Sequence, residues 1–306
     1  MCNVLLGTAI GDALGVPFEK KLFNDPLLAN WDGNTFLGSN SHGLKPGQYS
    51  DDSQLSIIVA ESLLASSGFN PDDLSSRYVD WMVSGRARGW GRTTALAIEN
   101  LKSGMHWTAS GIPGSEGNGS AMRAAPFGIY FRNDLKSLVE ICKLDSGITH
   151  ASPEAEAGSI AIATTAYYAV NNDTENLLNK IVPLLPESKI KHILSGLSAL
   201  LDVNNITPFQ ALSIIGTKAN VKETVPAAVY CFLKFNNYHM AVFNAIKAGH
   251  DTDTTAAIVG ALFGAKLGMK HMPSSLIKSV EDSDKLIRLD SQLYNRSSDS
   301  YFPRTS

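Results

Sequence analysis

Two glycine series constrain this chain more than any other pattern in it. Gly7, Gly11 and Gly15 recur every fourth residue near the start, and Gly260, Gly264 and Gly268 do so near the end. On a helix, that spacing lays each series along one face. A glycine inside a helix costs roughly 1 kcal/mol relative to alanine. Close backbone approach to another element would offset that cost, so each stripe should face such an element. Packing of this kind would hold the loops at the helix ends rigidly.

Helical periodicity dominates the rest. Leu55, Ile58, Val59 and Leu63 share one helical face, as do Leu74, Tyr78, Trp81 and Met82. Ala-rich or apolar stretches of helical length run through 135–144, 159–170, 190–201 and 225–235. No sustained alternating run and no Asn-Gly hairpin between β-branched segments is present. The fold class is therefore all-α. Loops thick in Gly, Asn, Ser and Pro occupy 30–48 and 110–120, and a shorter one separates Val203 from Pro208. None reads as an interdomain linker, so 1–306 is expected to form a single domain, with the polar tail after Asp290 loosely ordered.

With 306 residues, 44% hydrophobic and 18% charged, the chain suits a globular core. A net charge of -3 does not favour a polyanionic partner. Cys2, Cys142 and Cys231 are scattered and form no CxxC, which disfavours a disulfide framework or zinc-thiolate site. A reducing, cytoplasmic setting is the simple expectation. The first residues do not read as a signal peptide, and the run from Thr255 to Met269 is too short to span a bilayer. No membrane association is expected, and the chain is expected to be a monomer.

The strongest chemical signal is a pair of Asp-rich loops far apart in sequence. Tyr49-Ser50-Asp51-Asp52-Ser53 precedes one apolar helix, and Gly249-His250-Asp251-Thr252-Asp253-Thr254-Thr255 precedes the second glycine helix. Helix capping is the simpler reading, since Ser, Asp and Thr accept bonds from unpaired N–H groups there. A carboxylate also suits the positive end of a helix dipole. Yet a cap needs one such residue, and each loop supplies at least three oxygen-bearing side chains. Four gathered carboxylates would be costly to bury unpaired. A hard divalent cation removes that cost, and all-oxygen ligation suits Mg²⁺, Mn²⁺ or Ca²⁺. Asp251 and Asp253 would point to nearly opposite sides of a regular helix, so they converge only if the chain there is not yet helical. An EF-hand starting at Asp251 fails, because Ala256 and Leu262 stand where Gly and Glu are required.

Three further elements carry chemistry. Gly117-Asn118-Gly119-Ser120-Ala121-Met122-Arg123 opens a helix, where small residues let backbone N–H groups approach an anion. Thr149-His150 precedes Glu154, Glu156 and an Ala-rich helix. Gly11-Asp12-Ala13-Leu14-Gly15 is followed by Pro17-Phe18-Glu19, and Glu19 could enter a cleft or be solvated.

In this order, the five elements resemble the ADP-ribosylglycohydrolase family, which includes dinitrogenase reductase-activating glycohydrolases and ADP-ribosyl-acceptor hydrolases. The resemblance runs from about Leu5 to Gly268. It implies an all-α fold with two divalent cations, Mg²⁺ or Mn²⁺, in a central cleft. It further implies that Ser50, Asp51 and Asp52 form one set of metal ligands, and Asp251, Asp253 and Thr254 the other. Gly117, Asn118, Gly119, Ser120 and Met122 match the segment that holds the substrate's diphosphate and ribose, and His150 a histidine near the substrate. Glu19 matches an acidic residue that gates the site or takes part in catalysis. There are departures: Ser50 stands where Thr is common, and His250 where Gly is common. Gly89, in Gly89-Trp90-Gly91-Arg92-Thr93-Thr94, stands where the arginine-directed members are expected to carry Asp, which weighs against an arginine acceptor.

The implied activity is metal-dependent hydrolysis of the bond between ADP-ribose and an acceptor on a protein, nucleic acid or small molecule. Glu19, Asp52 and Asp253 are the candidate catalytic carboxylates. Trp90 or a nearby Tyr is a candidate for stacking on adenine. Two alternatives stand beside this. The adjacent His250-Asp251 pair also occurs in HD-type phosphohydrolases of nucleotides, which would need further ligands such as His150, His192 or His239. A relative that binds ADP-ribose without turnover is the other.

Overall fold

The computed structural model describes residues 2–203 and 205–296. Among them the regular structure is overwhelmingly helical, as the periodicity implies, and regular strand pairing is confined to Ile112–Pro113 against His150–Ala151. No described helix is long and apolar enough to cross a membrane.

The helices Val4–Gly15 and Thr252–Leu267 form the centre. Every residue of the first is buried, as is the second up to Ala265. Helices that are apolar all round belong in a core. The two glycine stripes face each other, running antiparallel. A Cβ on Gly7 would lie 2.1 Å from the Gly260 carbonyl oxygen, and one on Gly260 would lie 2.1 Å from the Gly7 carbonyl oxygen. A Cβ on Gly11 would meet the Ala256 carbonyl at 2.1 Å, and one on Gly264 the Asn3 carbonyl at 2.2 Å. Gly268 departs from the expected stripe. It lies just past the helix as its C-cap, with φ of 68°, a backbone shape that favours glycine.

Other helices wrap this pair. Asp51–Ser66 packs on the first glycine helix, and Pro153–Val170 and Val221–Lys234 pack on the second. The Pro71–Val83 helix shows the local logic. Asn70 caps it by accepting from the N–H groups of Asp72 and Asp73, Pro71 opens it, and Leu74, Tyr78 and Trp81 are buried. The segment after Asp290 is not loose where it is described: Ser283–Asn295 is a helix. Its buried Asp290 accepts from the N–H groups of Leu5 and Leu6, satisfying unpaired donors at the start of the first glycine helix. The remainder of the expected loose tail, 297–306, lies outside the described residues.

The short parallel pair sets Ile112 beside His150 and Pro113 beside Ala151. It fastens the loop after Ser110 to the end of the Leu135–Thr149 helix. Gly111 permits this, because a Cβ there would meet the Gly147 carbonyl at 2.1 Å.

Candidate functional site

The first glycine helix is the common frame for both Asp-rich loops. Its buried Asp12 accepts from the N–H groups of Ser50 and Ser53, each at 3.0 Å, and from the Ser53 hydroxyl at 2.6 Å. These bonds hold the turn that opens the Asp51–Ser66 helix. At the helix end, a Cβ on Gly15 would lie 2.5 Å from the Cα of Asp253, and the Gly15 carbonyl accepts from the Thr252 hydroxyl at 2.8 Å. One element therefore grips Ser50–Ser53 through a carboxylate and Thr252–Asp253 through a missing side chain.

The loops meet directly. The Thr254 hydroxyl lies 3.4 Å from Asp52 Oδ2, and Ser50 Oγ donates to the same oxygen. Asp251 has non-helical backbone (φ -93°, ψ 69°), and the helix begins at Thr252. That break lets Asp251 and Asp253 line one cavity of about 260 Å³ together with Asp51, Asp52 and Glu19. Glu19 is tied in by the chain that follows it: Lys20 N–H donates to the His250 carbonyl, and His250 N–H donates to the Lys21 carbonyl. The Glu19 carboxylate itself pairs with His42 and Lys20.

These carboxylates do not serve as caps alone. Among the described residues, Asp251 makes no side-chain cap bond and Asp52 Oδ1 is buried without a hydrogen-bond partner. Burial pushes the Asp51 carboxyl well above its ordinary range, and the charges of Asp12, Asp251 and Glu19 add to this. Asp52 and Asp253 are raised well for the same reasons, burial first and neighbouring carboxylates second. Asp251 rises only to about 6, because hydrogen bonds, including one from the Asn118 amide, favour its charged form against the desolvation.

Opposite the carboxylates stands the Gly117 loop. A Cβ on Gly119 would fall 2.7 Å from Cε1 of His150 and 3.1 Å from its Nε2, so glycine here makes room for the imidazole. Asn118 Nδ2 donates to Asp251 Oδ2 at 2.5 Å and to the Thr224 hydroxyl at 2.9 Å. The helix opening at this loop is a single turn, Gly119–Met122, so it offers little of the helix dipole expected from the sequence.

Behind the loop lies a buried ion pair. The Arg123 side chain is fully buried and donates to Asp145 Oδ2 at 3.0 Å, to the Gly119 carbonyl at 3.1 Å and to Thr149 Oγ1 at 2.9 Å. The Tyr78 hydroxyl also donates to Asp145. Thr149 Oγ1 is in turn 2.8 Å from His150 Nδ1. Burial, with the Arg123 charge nearby, lowers the His150 pKa from 6.5 to about 3.

Of the residues singled out from sequence, Glu19, Asp51, Asp52, Gly117, Asn118, Gly119, Met122, His150, Asp251, Asp253 and Thr254 line this one cavity. Ser50 is buried beside it, against Asp52. Ser120 is not on its wall, and its hydroxyl donates to the Ala155 carbonyl. Asp12, Arg123 and Thr149 stand within the sequence motifs without an assigned role, and Thr224 and Asp145 were not singled out. Thr224, Arg123 and Thr149 bond lining residues directly, whereas Asp12 and Asp145 act through Ser50, Ser53 and Arg123. For Asp12 a signal existed, a carboxylate on an otherwise apolar helix face. Thr93, Thr94 and Gly89 also line the cavity. Gly89 has φ of 72°, and a Cβ there would lie 3.4 Å from Asp51 Oδ1. Trp90 is about half exposed and lines an adjoining pocket shared with Glu19, Lys20 and His42.

Among the described residues, His150 is the only histidine on the cavity wall. His192 sits against Glu187, His239 against Phe243, and His250 faces a separate groove. The further ligands that an HD-type site needs are therefore not at hand. Two larger grooves, of about 630 and 740 Å³, gather no raised carboxylates among the described residues; Glu281 in the first is lowered, burial being outweighed by its hydrogen bonds from Arg88 and Gln48. Chemistry rather than size points to the smaller cavity.

Comparison with known proteins finds relatives that match nearly the whole chain. The profile of the ADP-ribosylglycohydrolase family matches residues 1–301. An uncharacterized protein of Archaeoglobus fulgidus is 28% identical over 293 residues, covering 95% of each chain. The ADP-ribosylarginine hydrolase Tri1 of Pseudomonas putida is 27% identical, covering 96% of this chain and 77% of its own. The ADP-ribosylhydrolase ARH3 of Danio rerio is 25% identical, covering 96% and 89%. A solved ADP-ribosylglycohydrolase-related protein complex shares the fold with a TM-score of 0.80 at 24% identity, covering 97% of both chains.

Proposed function

Because the chain belongs to the ADP-ribosylglycohydrolase family, we propose that it hydrolyses the glycosidic bond between the anomeric carbon of ADP-ribose and an acceptor. The observation that carries this reading is the convergence of Glu19, Asp51, Asp52, Asp251 and Asp253 on one cavity faced by Gly117, Gly119 and His150.

The donor set fits divalent cations. It is all-oxygen, buried and mutually repulsive, and it includes the orphaned Asp52 Oδ1. Among the described residues no three acidic, His or Cys side chains already form a closed ligand shell, so side-chain adjustment would accompany binding. Ser50, Asp51 and Asp52 would hold one Mg²⁺ or Mn²⁺, and Asp251, Asp253 and Thr254 the other. When bound, the cations would orient ribose hydroxyls, activate water and stabilise developing charge. Asn118 fixes the Asp251 carboxylate, and Asp12 fixes the turn bearing Asp51 and Asp52. Glu19, which lines the same cavity, would take a proton from the attacking water, with Asp52 and Asp253 as the other candidates. The Gly117–Met122 segment and His150 would hold the diphosphate and ribose. The same reading takes 1–306 as one cytoplasmic domain acting as a monomer.

The test is release of ADP-ribose from arginine-linked, serine-linked, nucleobase-linked and polymeric substrates, with Mg²⁺, Mn²⁺ or a chelator. Metal-dependent release from at least one substrate is expected. Binding of ADP-ribose without release from any substrate would instead identify a non-catalytic relative, and phosphate release from nucleotides a phosphohydrolase.

A further inference from the structure

His150 is the one lining histidine among the described residues, and its ring is held from behind. Thr149 is fully buried, and among the described residues its hydroxyl has two side-chain partners, Arg123 and His150. Arg123 is a donor only, so it occupies an oxygen lone pair of Thr149 and cannot take the hydroxyl proton. Its Nη2 group spends its two protons on Thr149 Oγ1 and the Asp145 carbonyl. The guanidinium is kept in register by Asp145, by the Gly119 carbonyl and by the face of Tyr78. The acceptor left for the Thr149 proton is His150 Nδ1, at 2.8 Å.

We propose that the Arg123–Thr149 relay locks His150 as the neutral Nε2–H tautomer, so that it presents a fixed N–H donor to the cavity. The opposite tautomer would point Nδ1–H at Thr149 and leave the buried Thr149 hydroxyl proton without an acceptor. An orphaned buried donor is costly enough to favour the Nε2–H form by about tenfold or more. Nε2 lies at the Gly117 and Gly119 backbones, 3.1 Å from where either Cβ would stand, so the donor faces the ligand side of the loop. His150 then binds an oxygen acceptor of the ligand and does not exchange protons as a general base. Thr149 is a positioning residue that acts through it. The role toward substrate rests on the hydrolase reading, whereas the tautomer does not.

The test is the imidazole ¹⁵N spectrum of the labelled, ligand-free full chain at neutral pH, with His150 assigned by loss of its signals in His150→Gln. Wild type should show a protonated Nε2 and a bare, acceptor-type Nδ1. Thr149→Val, which removes the hydroxyl at nearly constant shape, should shift the population toward Nδ1–H or a mixture, and Thr149→Ser should restore the wild-type pattern. A wild-type Nδ1–H tautomer, an imidazolium signature, or a Thr149→Val spectrum identical to wild type would overturn the proposal. The wild-type measurement stands even if the valine variant fails to fold. Absence of hydrolase activity would leave the tautomer result unaffected, so the two readings fail separately.

Discussion

The Cα of Asp253 lies 2.5 Å from the point where a Cβ on Gly15 would stand. A candidate ligand and the end of a glycine stripe are therefore one packing event. The stripe brings two helix backbones to a distance that no other residue permits, and this contact seats the first turn of the Thr252–Leu267 helix.

A methyl group at position 15 should thus damage site and fold together. Gly15→Ala is expected to lower stability by about 1–3 kcal/mol, the usual range for overpacking. It should also shrink the stabilisation that Mg²⁺ gives in a thermal melt. Gly264→Leu, which meets the Asn3 carbonyl farther from the site, should lower Tm at least as much. Normal melting of both variants would show that the seam yields easily.

Asp253→Asn should separate stability from ligation. Asp253 is raised by burial and by the charges of Asp251, Asp52, Glu19 and Asp12. Removing its charge relieves that repulsion, so the cation-free Tm should rise by about 2 °C per kcal/mol relieved. The rise on adding Mg²⁺ or Mn²⁺ should shrink sharply, with helical circular dichroism unchanged. An undiminished metal response would remove Asp253 from the ligand set.

Arg123 and Asp145 form an ion pair with both side chains fully buried. Arg123→Met leaves Asp145 buried without its cation and should cost about 3–5 kcal/mol in a denaturant titration. Arg123→Lys keeps the charge but cannot serve Asp145, the Gly119 carbonyl and Thr149 at once, so its loss should be smaller yet clear. A methionine variant as stable as wild type would mean the pair is dispensable.

Acid should act through His150. Its pKa is depressed from 6.5 to about 3, so the folded state binds fewer protons than the unfolded state between these values. The stability it contributes is complete above about 6.5 and is lost as pH falls toward 3. One such group contributes a slope of up to about 1.4 kcal/mol per pH unit. The raised carboxylates titrate with the opposite sign, so the comparison needed is wild type against His150→Gln. Denaturant titrations from neutral pH downward should show the variant losing less stability per pH unit. Parallel curves would contradict the depressed pKa.

The helices were legible because their cause is local. The apolar face of Leu74, Tyr78 and Trp81, the Asn70-Pro71 start and the glycines four apart each act over a few residues, and periodicity records them directly. Both Asp loops were legible for a related reason, since each concentrates more oxygen ligands than a helix cap requires. The break at Asp251 that lets two carboxylates converge could be argued from helix geometry alone.

What remained hidden is the set of contacts made between distant parts of the chain. Nothing local marks Asp12 as the acceptor for Ser50 and Ser53, or pairs Asn118 with Asp251 across 133 positions. The sequence placed each glycine stripe against some neighbour, but only the folded chain made each the other's partner and turned Gly268 into a helix stop. Local residues determined the helices and the oxygen-rich loops, because backbone propensity and side-chain spacing act at short range. Tertiary structure decided which buried charges meet and which way His150 is held. Those outcomes depend on desolvation and on hydrogen bonds among Tyr78, Arg123, Asp145 and Thr149, which come together only when their helices pack.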